Sequence, residues 1–341
     1  MELIVSRGLD DRALRAAILA AIRQRVRFEA YVWLLTDPET TVGSSPLADV
    51  PVLADLSMVV RLKYTSPTNR WTSLLDDEVA TMASDRNRSK TTMLPELSRR
   101  YGVTDVLNVV FRDRFGCWGF LDLWRTSDMF TSDECVAIGE LLPIVTAGLR
   151  HSLLPTFDQE AAPIRFSEGP AVLLLSNDLQ LKAHTPQTDA YLRALLPTAV
   201  DRNPIPAAAY NVGGQLLSLE SGVDTHPPTT RLPLVAGHWV SLRAARIADT
   251  ESTATPAIAV TIEATPSNER ADMYARVAGL TARQADVLHS LSDGSGSRAV
   301  AHHLGITQHT VQDHLKAIFA KTNTSSRSTL VARATGSGRP R

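Results

Sequence analysis

The chain has 341 residues, 44% of them hydrophobic and 21% charged, with a formal net charge of −1; that content can bury more than one core and excludes a disordered polyelectrolyte. Two cysteines, Cys117 and Cys135, are too few for a disulfide framework and have no metal-ligand spacing. The first 19 residues mix Asp10, Asp11 and several arginines with the apolar ones, so neither a signal peptide nor a membrane span is read there, and a cytoplasmic location is expected.

Residues 10 to 28 read as an amphipathic helix, because Leu14, Ala17, Ile18, Ala21, Ile22 and Val26 recur at helical spacing. Glu29 to Thr36 is β-branched and aromatic and suits a strand, which Asp37-Pro38 ends. An extended piece at 41–45, a helix from about Val52 to Leu62 and an irregular stretch through Trp71 follow, and Asp85 to Thr92 reads as an exposed polar loop. Val106 to Phe111 and Cys117 to Trp124 form a hairpin about the turn Asp113-Arg114-Phe115-Gly116, and one long amphipathic helix from Ser132 to Leu154 closes the unit. This order of helix, strands, hairpin and closing helix resembles a GAF-type sensor domain, placed at residues 1–155. The resemblance implies an antiparallel sheet covered by helices and pairing through the terminal helices.

Four of the five tryptophans fall within the first 124 residues. Trp33, Trp71 and Trp118, with Tyr31 and Cys117, either line an apolar ligand pocket or are ordinary core. Any ligand held there is expected to be small, organic and largely apolar. The first histidine is His151, at the end of the closing helix, so residues 1–150 offer no imidazole to serve as general base, zinc ligand or haem ligand. Asp76-Asp77-Glu78 are consecutive, do not share a helix face and read as solvated surface. No catalytic residue, metal site or cofactor is assigned, and the chain is not read as an enzyme.

Pro155 to Pro163 reads as a linker. Beyond it come a short strand at 171–175, a turn at Ser176-Asn177-Asp178, a returning strand at 179–183 and a helix at 188–196. Later strands at 239–247 and 257–262 are separated by the polar loop 248–256. This order resembles a PAS-type fold over residues 156–265, although Thr185-Pro186 stands where such domains usually carry Asn-Pro and Pro227-Pro228 interrupts the middle. Residues 266–279 read as a linker.

From residue 280 the pattern sharpens. Thr281-Ala-Arg-Gln284 writes a capping box, Ala285, Val287, Leu288 and Leu291 supply an apolar face, and Gly294 ends the helix. A second helix from about Ser297 to Leu304 turns Val300, Ala301 and Leu304 inward, and Gly305 supplies a positive φ for a tight helix-helix turn. Thr307 caps a third helix, 308–321. Val311, Leu315, Ile318 and Phe319 share one arc, while His309, Gln312, Asp313, Lys316 and Ala320 share the other, flanked by Thr310, His314 and Lys321. A hydrogen-bonding face on the helix after a tight turn is what a DNA major groove accepts. Eight cations stand against three anions from 280 onward, so the rest of the chain is net acidic and the basic charge sits at the end that would face phosphates.

Leu280-Thr281-x-Arg283, Val287-Leu288, Gly294, Val300-Ala301-x-x-Leu304-Gly305-Ile306, Thr310-Val311-x-x-His314, Ile318, Lys321 and Ser326-Arg327 resemble the LuxR-type (GerE-type) helix-turn-helix of bacterial transcription factors. Gln284 and Ala299 depart from the usual Glu, and Thr322-Asn323 from the usual Leu-Gly. The resemblance, at 280–335 with a tail at 336–341, implies that Gln312, Asp313 and Lys316 read bases of double-stranded DNA. It implies that Thr310, His314, Lys321 and Arg327 meet phosphates, and that the last helix, 326–335, helps the module form a homodimer. The expected architecture is an α+β multidomain chain, with GAF-like and PAS-like domains ahead of an all-α DNA reader. Two other readings stay open: a catalytic or ligand-transfer protein with a secondary DNA-binding tail, and a ligand-free dimerisation scaffold.

Overall fold

A computed structural model describes residues 1–68, 70–74, 79–82, 93–158, 171–195, 204–234, 237–247 and 256–336. The Asp76-Asp77-Glu78 run, the 85–92 loop, residues 159–163 of the expected linker, residues 248–255 of the second polar loop and the tail beyond Gly336 lie outside the described residues. The chain divides into two compact units, one of Met1–Leu149, Phe166–Leu232 and Ser241–Glu263, the other of Arg150–Arg165, Pro233–Val240 and Ala264–Arg341. It therefore passes from one unit to the other five times. The fold is mixed α+β, with two five-stranded sheets and a helical C-terminal bundle.

The first unit opens with α1 (Glu2–Val5) and α2 (Asp11–Arg23). α2 begins where the Asp10 carboxylate accepts from the Ala13 amide at 2.8 Å, satisfying one of the orphan donors of its first turn. Then follow β1 (Ala30–Thr36), β2 (Gly43–Asp49), α3 (Leu56–Thr65), β3 (Val79–Thr81), α4 (Met93–Tyr101), β4 (Asp105–Asp113) and β5 (Gly116–Arg125). The strands order as β2-β1-β5-β4-β3 with antiparallel neighbours. The β4–β5 hairpin is tighter than the sequence suggests: Asp113 and Gly116 are already paired, and Asp113 accepts the Phe115 amide across the turn at 2.8 Å. The single helix expected at 132–154 is two, α5 (Ser132–Gly139) and α6 (Leu142–Ser152). Pro143 has no amide hydrogen to give the preceding turn, so the helix restarts there.

The second sheet contains β6 (Ala171–Leu175), β7 (Leu181–His184), β8 (Thr229–Pro233), β9 (Trp239–Arg246) and β10 (Ile258–Ala264) in the order β7-β6-β10-β9-β8. Numbered from its own first strand, it repeats the 2-1-5-4-3 order of the first sheet. Helices α7 (Thr188–Leu195) and α8 (Ala207–Glu220) lie between β7 and β8 in sequence. α8 and β8 leave little trace in the sequence. α8 is buried on nearly every side, so its Ala- and Gly-rich run carries no amphipathic period. Its adjacent glycines permit two close approaches. A Cβ on Gly214 would lie 3.0 Å from the Tyr64 ring of α3, and one on Gly213 would lie 2.9 Å from Leu179 beside the second sheet.

In the second unit, α9 (Ser267–Val277) occupies most of the stretch expected as a linker, with Ala271, Met273, Tyr274, Ala275 and Val277 buried. The described part of the earlier linker is likewise packed. Residues 154–157 form a 3₁₀ turn whose Phe157 stacks on Trp239 at 4.7 Å and meets Tyr274 edge-on at 4.9 Å. Polar residues between the apolar ones hide both segments from a reading of composition. The bundle continues with α10 (Ala282–Ser292), α11 (Ser297–Leu304), α12 (Gln308–Thr322) and α13 (Arg327–Thr335). Among the described residues no helix is long and apolar enough to cross a membrane.

Candidate nucleic-acid interface

α10 starts at the capping box its sequence spells. Thr281 accepts the Gln284 amide at 3.3 Å, and the Gln284 side chain accepts the Thr281 amide at 3.0 Å. α11 ends in Gly305 at φ 65°, the left-handed conformation that lets the chain turn at once into α12. Thr307 caps α12 by accepting the Thr310 amide at 3.1 Å. Val287, Leu288, Leu291, Val300, Val311, Leu315, Ile318 and Leu330 are buried among these helices and hold α12 by one side. Phe319, expected in that core, is half-buried.

The other side of α12 faces outward. Gln312, Asp313 and Lys316 are exposed, and the Lys316 side chain retains 78% of its accessible surface. Asp313 lies between two side chains of its own helix, 3.6 Å from the His309 ring and 3.9 Å from the Lys316 ammonium. These are long, exposed contacts worth little, so all three side chains can be redeployed toward a ligand. Gln312 donates weakly to the Ser297 hydroxyl at 3.4 Å, which brings the start of α11 beside the recognition face. Arg298 is exposed there, a cation to which the sequence alone gave no role. Its signal was its place in the first turn of the helix that precedes the turn glycine.

The four residues expected at phosphates differ in how they are held. Thr310 is half-buried and shares a 2.9 Å hydrogen bond with the Thr307 hydroxyl, and His314 is half-buried on the flank of α12. Arg327 donates to the Ser295 carbonyl and so braces α13 against the α10–α11 turn. Lys321 donates to the Gly279 carbonyl and to Gln284 Oε1, both at 2.8 Å, tying the end of α12 to the capping box of α10. Gln284, where Glu is usual in the LuxR-type pattern, thus still meets the ammonium, as a neutral acceptor.

The five residues expected around an apolar pocket do not converge. Trp33 is fully buried and stacks on Phe111 at 5.2 Å, on the face of the first sheet opposite Val32 and Leu34. Trp118 is buried and donates to Asp113 at 2.9 Å. Tyr31 is half-buried and meets Phe28 edge-on. Cys117 is buried at the hairpin, and burial pushes its thiol above the ordinary range. Trp71 lies on the Val32 face, stacked on Phe120 at 4.9 Å, and its indole donates to Asp122 at 2.8 Å. Lys63 also donates to Asp122, at 3.1 Å, and to Asn108 at 2.5 Å. Burial lowers the Lys63 pKa and raises that of Asp122, each partly opposed by the other's charge. Beside them Val32, Leu34, Val60, Trp71, Ala207 and Asn211 border a cavity of about 20 Å³, room for a water or two.

Residues 278–334 match the family of bacterial regulatory proteins described as the luxR family, GerE, so the bundle at the C-terminus is a LuxR-family helix-turn-helix domain. The solved structures similar along the chain include two of SdiA. One is SdiA in complex with octanoyl-rac-glycerol, 13% identical, covering 99% of this chain and 93% of that one with a TM-score of 0.33. The other is a crystal structure of Escherichia coli SdiA, 14% identical over 98% and 94% with a TM-score of 0.32. No curated protein matches the chain.

Proposed function

We propose that the protein is a cytoplasmic DNA-binding transcription regulator that reads the major groove with α12 as a homodimer, under the influence of its upstream domains. The observation that carries this reading is the exposed face of Gln312, Asp313 and Lys316, on a helix held by its other side and entered through the left-handed Gly305. Lys316 is suited to guanine acceptors, Gln312 to adenine, and Asp313 to the cytosine amino group. In this reading Thr310, His314 and the exposed Arg298 meet phosphates. Arg327 reaches a phosphate only by giving up its bond to Ser295, and Lys321 only by giving up its bonds to Gly279 and Gln284.

The upstream residues form GAF-like (1–155) and PAS-like (156–265) sensor domains in this reading. The shared 2-1-5-4-3 strand order and the helices alongside both sheets support it. A small, largely apolar effector would act through the first of these; the cavity beside Trp71, with room for a water or two, would have to widen to admit it. Selection of random duplex DNA on the full chain, followed by footprinting, tests the proposal. Recovery of a two-fold symmetric site with half-sites about 34 Å apart is expected. Binding without sequence preference at any salt concentration would overturn it.

A further inference from the structure

Arg270 of α9 is a buried cation. It is 3% exposed, burial lowers its pKa to about 10, and among the described residues no carboxylate pairs with it. Its guanidinium donates instead to three backbone carbonyls. Nη1 reaches Arg333, while Nη2 reaches Gly237 at 3.0 Å and Phe157 at 3.3 Å. The cation also lies 5.1 Å from the centre of the Phe157 ring, and among the described residues Nε has no partner. A methionine of similar length would fill this space without the cost of burying a charge. What the guanidinium supplies is a rigid planar fork that fixes several acceptors relative to one another.

The three acceptors come from separate parts of the chain. Phe157 and Gly237 belong to 150–165 and 233–240, the two short stretches that the second unit borrows from the middle of the chain. Arg333 is in the last turn of α13, whose unsatisfied carbonyls and negative dipole end favour a cation. The Arg333 side chain then continues the connection, donating to the Thr322 carbonyl at the end of α12 at 3.1 Å and pairing with Asp158 at 2.7 Å. All of these groups except Thr322 and Arg333 lie outside the 278–334 family match.

We propose that Arg270 is a positioning residue that holds α13, and through Arg333 the end of α12, in register with the chain segments arriving from upstream. A displacement of either segment would then reach the DNA-reading helices as a change in how α13 is held. This rests on the reading of α12 as the DNA reader.

Hydrogen exchange of the full-length Arg270→Met and Arg270→Lys proteins, together with binding to the duplex selected by the wild-type chain, tests the proposal. In Arg270→Met the amides of 330–335 are expected to exchange about tenfold faster while those of α10 keep their rates. DNA binding should weaken about tenfold with an unchanged salt slope, since no phosphate contact is removed, and Arg270→Lys should fall between the two. Should Arg270→Met not fold, Asp158→Asn removes the outer ion pair without touching the buried cluster, and a smaller acceleration confined to α13 is expected. Wild-type exchange in α13 of a folded Arg270→Met protein, or of Asp158→Asn where that one is used, would overturn the role of Arg270. Failure of the wild-type chain to select any DNA would instead overturn the reading of α12, leaving α13 exchange to decide the role of Arg270.

Discussion

Arg231 holds Asp37 by two parallel hydrogen bonds, Nε to Oδ2 at 2.7 Å and Nη2 to Oδ1 at 2.8 Å, across 194 residues of chain. The Arg231 amide adds a third, to Oδ2 at 3.0 Å. Asp37 begins the β1–β2 turn of one sheet, and Arg231 lies on the edge strand β8 of the other. Two flanking bonds complete the seam, from Thr40 to the Thr229 carbonyl at 2.5 Å and from Thr230 to the Val42 carbonyl at 3.2 Å. Burial alone would lower the Arg231 pKa, but Asp37 and Glu39 hold it above its ordinary value.

Because both partners are buried, removing one leaves an uncompensated charge. Arg231→Met is expected to destabilise the chain by about 3–5 kcal/mol, and Asp37→Leu with Arg231→Met by less than the sum of the single changes. Urea unfolding of the four proteins measures this. Additive losses would mean that the pair does not act as a unit.

A second cluster in the same unit gives a pH dependence of known sign. Asp224 accepts from the Thr72 hydroxyl at 2.5 Å and lies 2.6 Å from His226 Nδ1. Burial would raise its pKa, but these bonds hold it well below the usual carboxylate range. A carboxylate depressed in the folded state contributes stability that is complete above its unfolded pKa of about 3.9 and is lost as the pH falls through the folded value. Stability should therefore decline below about pH 4, and the decline should be shallower in Asp224→Asn. Thermal melts between pH 5 and pH 2 check this; parallel curves for the two proteins would remove Asp224 from the account.

Lys316 and Lys321 are five residues apart on α12 and should respond oppositely to truncation. Lys316→Ala and Gln312→Ala are expected to relax sequence preference, each by about 1–3 kcal/mol of discrimination, with little effect on stability. Lys321→Ala releases the Gly279 carbonyl and Gln284, so it should destabilise the domain by about 1–2 kcal/mol and leave the salt slope of DNA binding unchanged. A slope shallower by one unit would return Lys321 to the phosphates.

At Gly305, φ is 65° and a Cβ would meet nothing within 4 Å, so backbone strain is the whole cost of adding one. Gly305→Ala should lose about 1–2 kcal/mol and Gly305→Asn less, since Asn tolerates the left-handed region. Equal losses would point to a contact rather than to strain. Calorimetry of the two variants separates these outcomes.

The DNA-binding bundle was legible because its signals are local: a cap, an apolar period and a turn glycine lie within a few residues of one another. α8 was not legible, because a helix enclosed on both sides carries no period, and β8 was not, because its value lies in Arg231 reaching a residue far back in the chain. The pocket expected at Tyr31, Trp33, Trp71, Cys117 and Trp118 fails to assemble for a similar reason. Strand parity sends Trp33 to one face of the sheet, while Trp71, which lies outside any strand, is free to cover the other. α9 was hidden by its polar residues, although Ala271, Tyr274, Ala275 and Ala278 already keep a helical spacing.

The five passages of the chain between its two units bear on how such a protein can be taken apart or recombined. A terminal bundle attached by one tether can be exchanged by a single cut in the gene, whatever stands upstream. Here a cut before Ala264 would leave Phe157, with the Trp239 stacked on it, in the discarded half, stripping Tyr274 of its aromatic neighbour and Arg270 of two of its three acceptors. A graft that preserves this packing must carry 150–158 and 233–240 with it, so these two stretches from mid-chain are bound to travel with the helix-turn-helix.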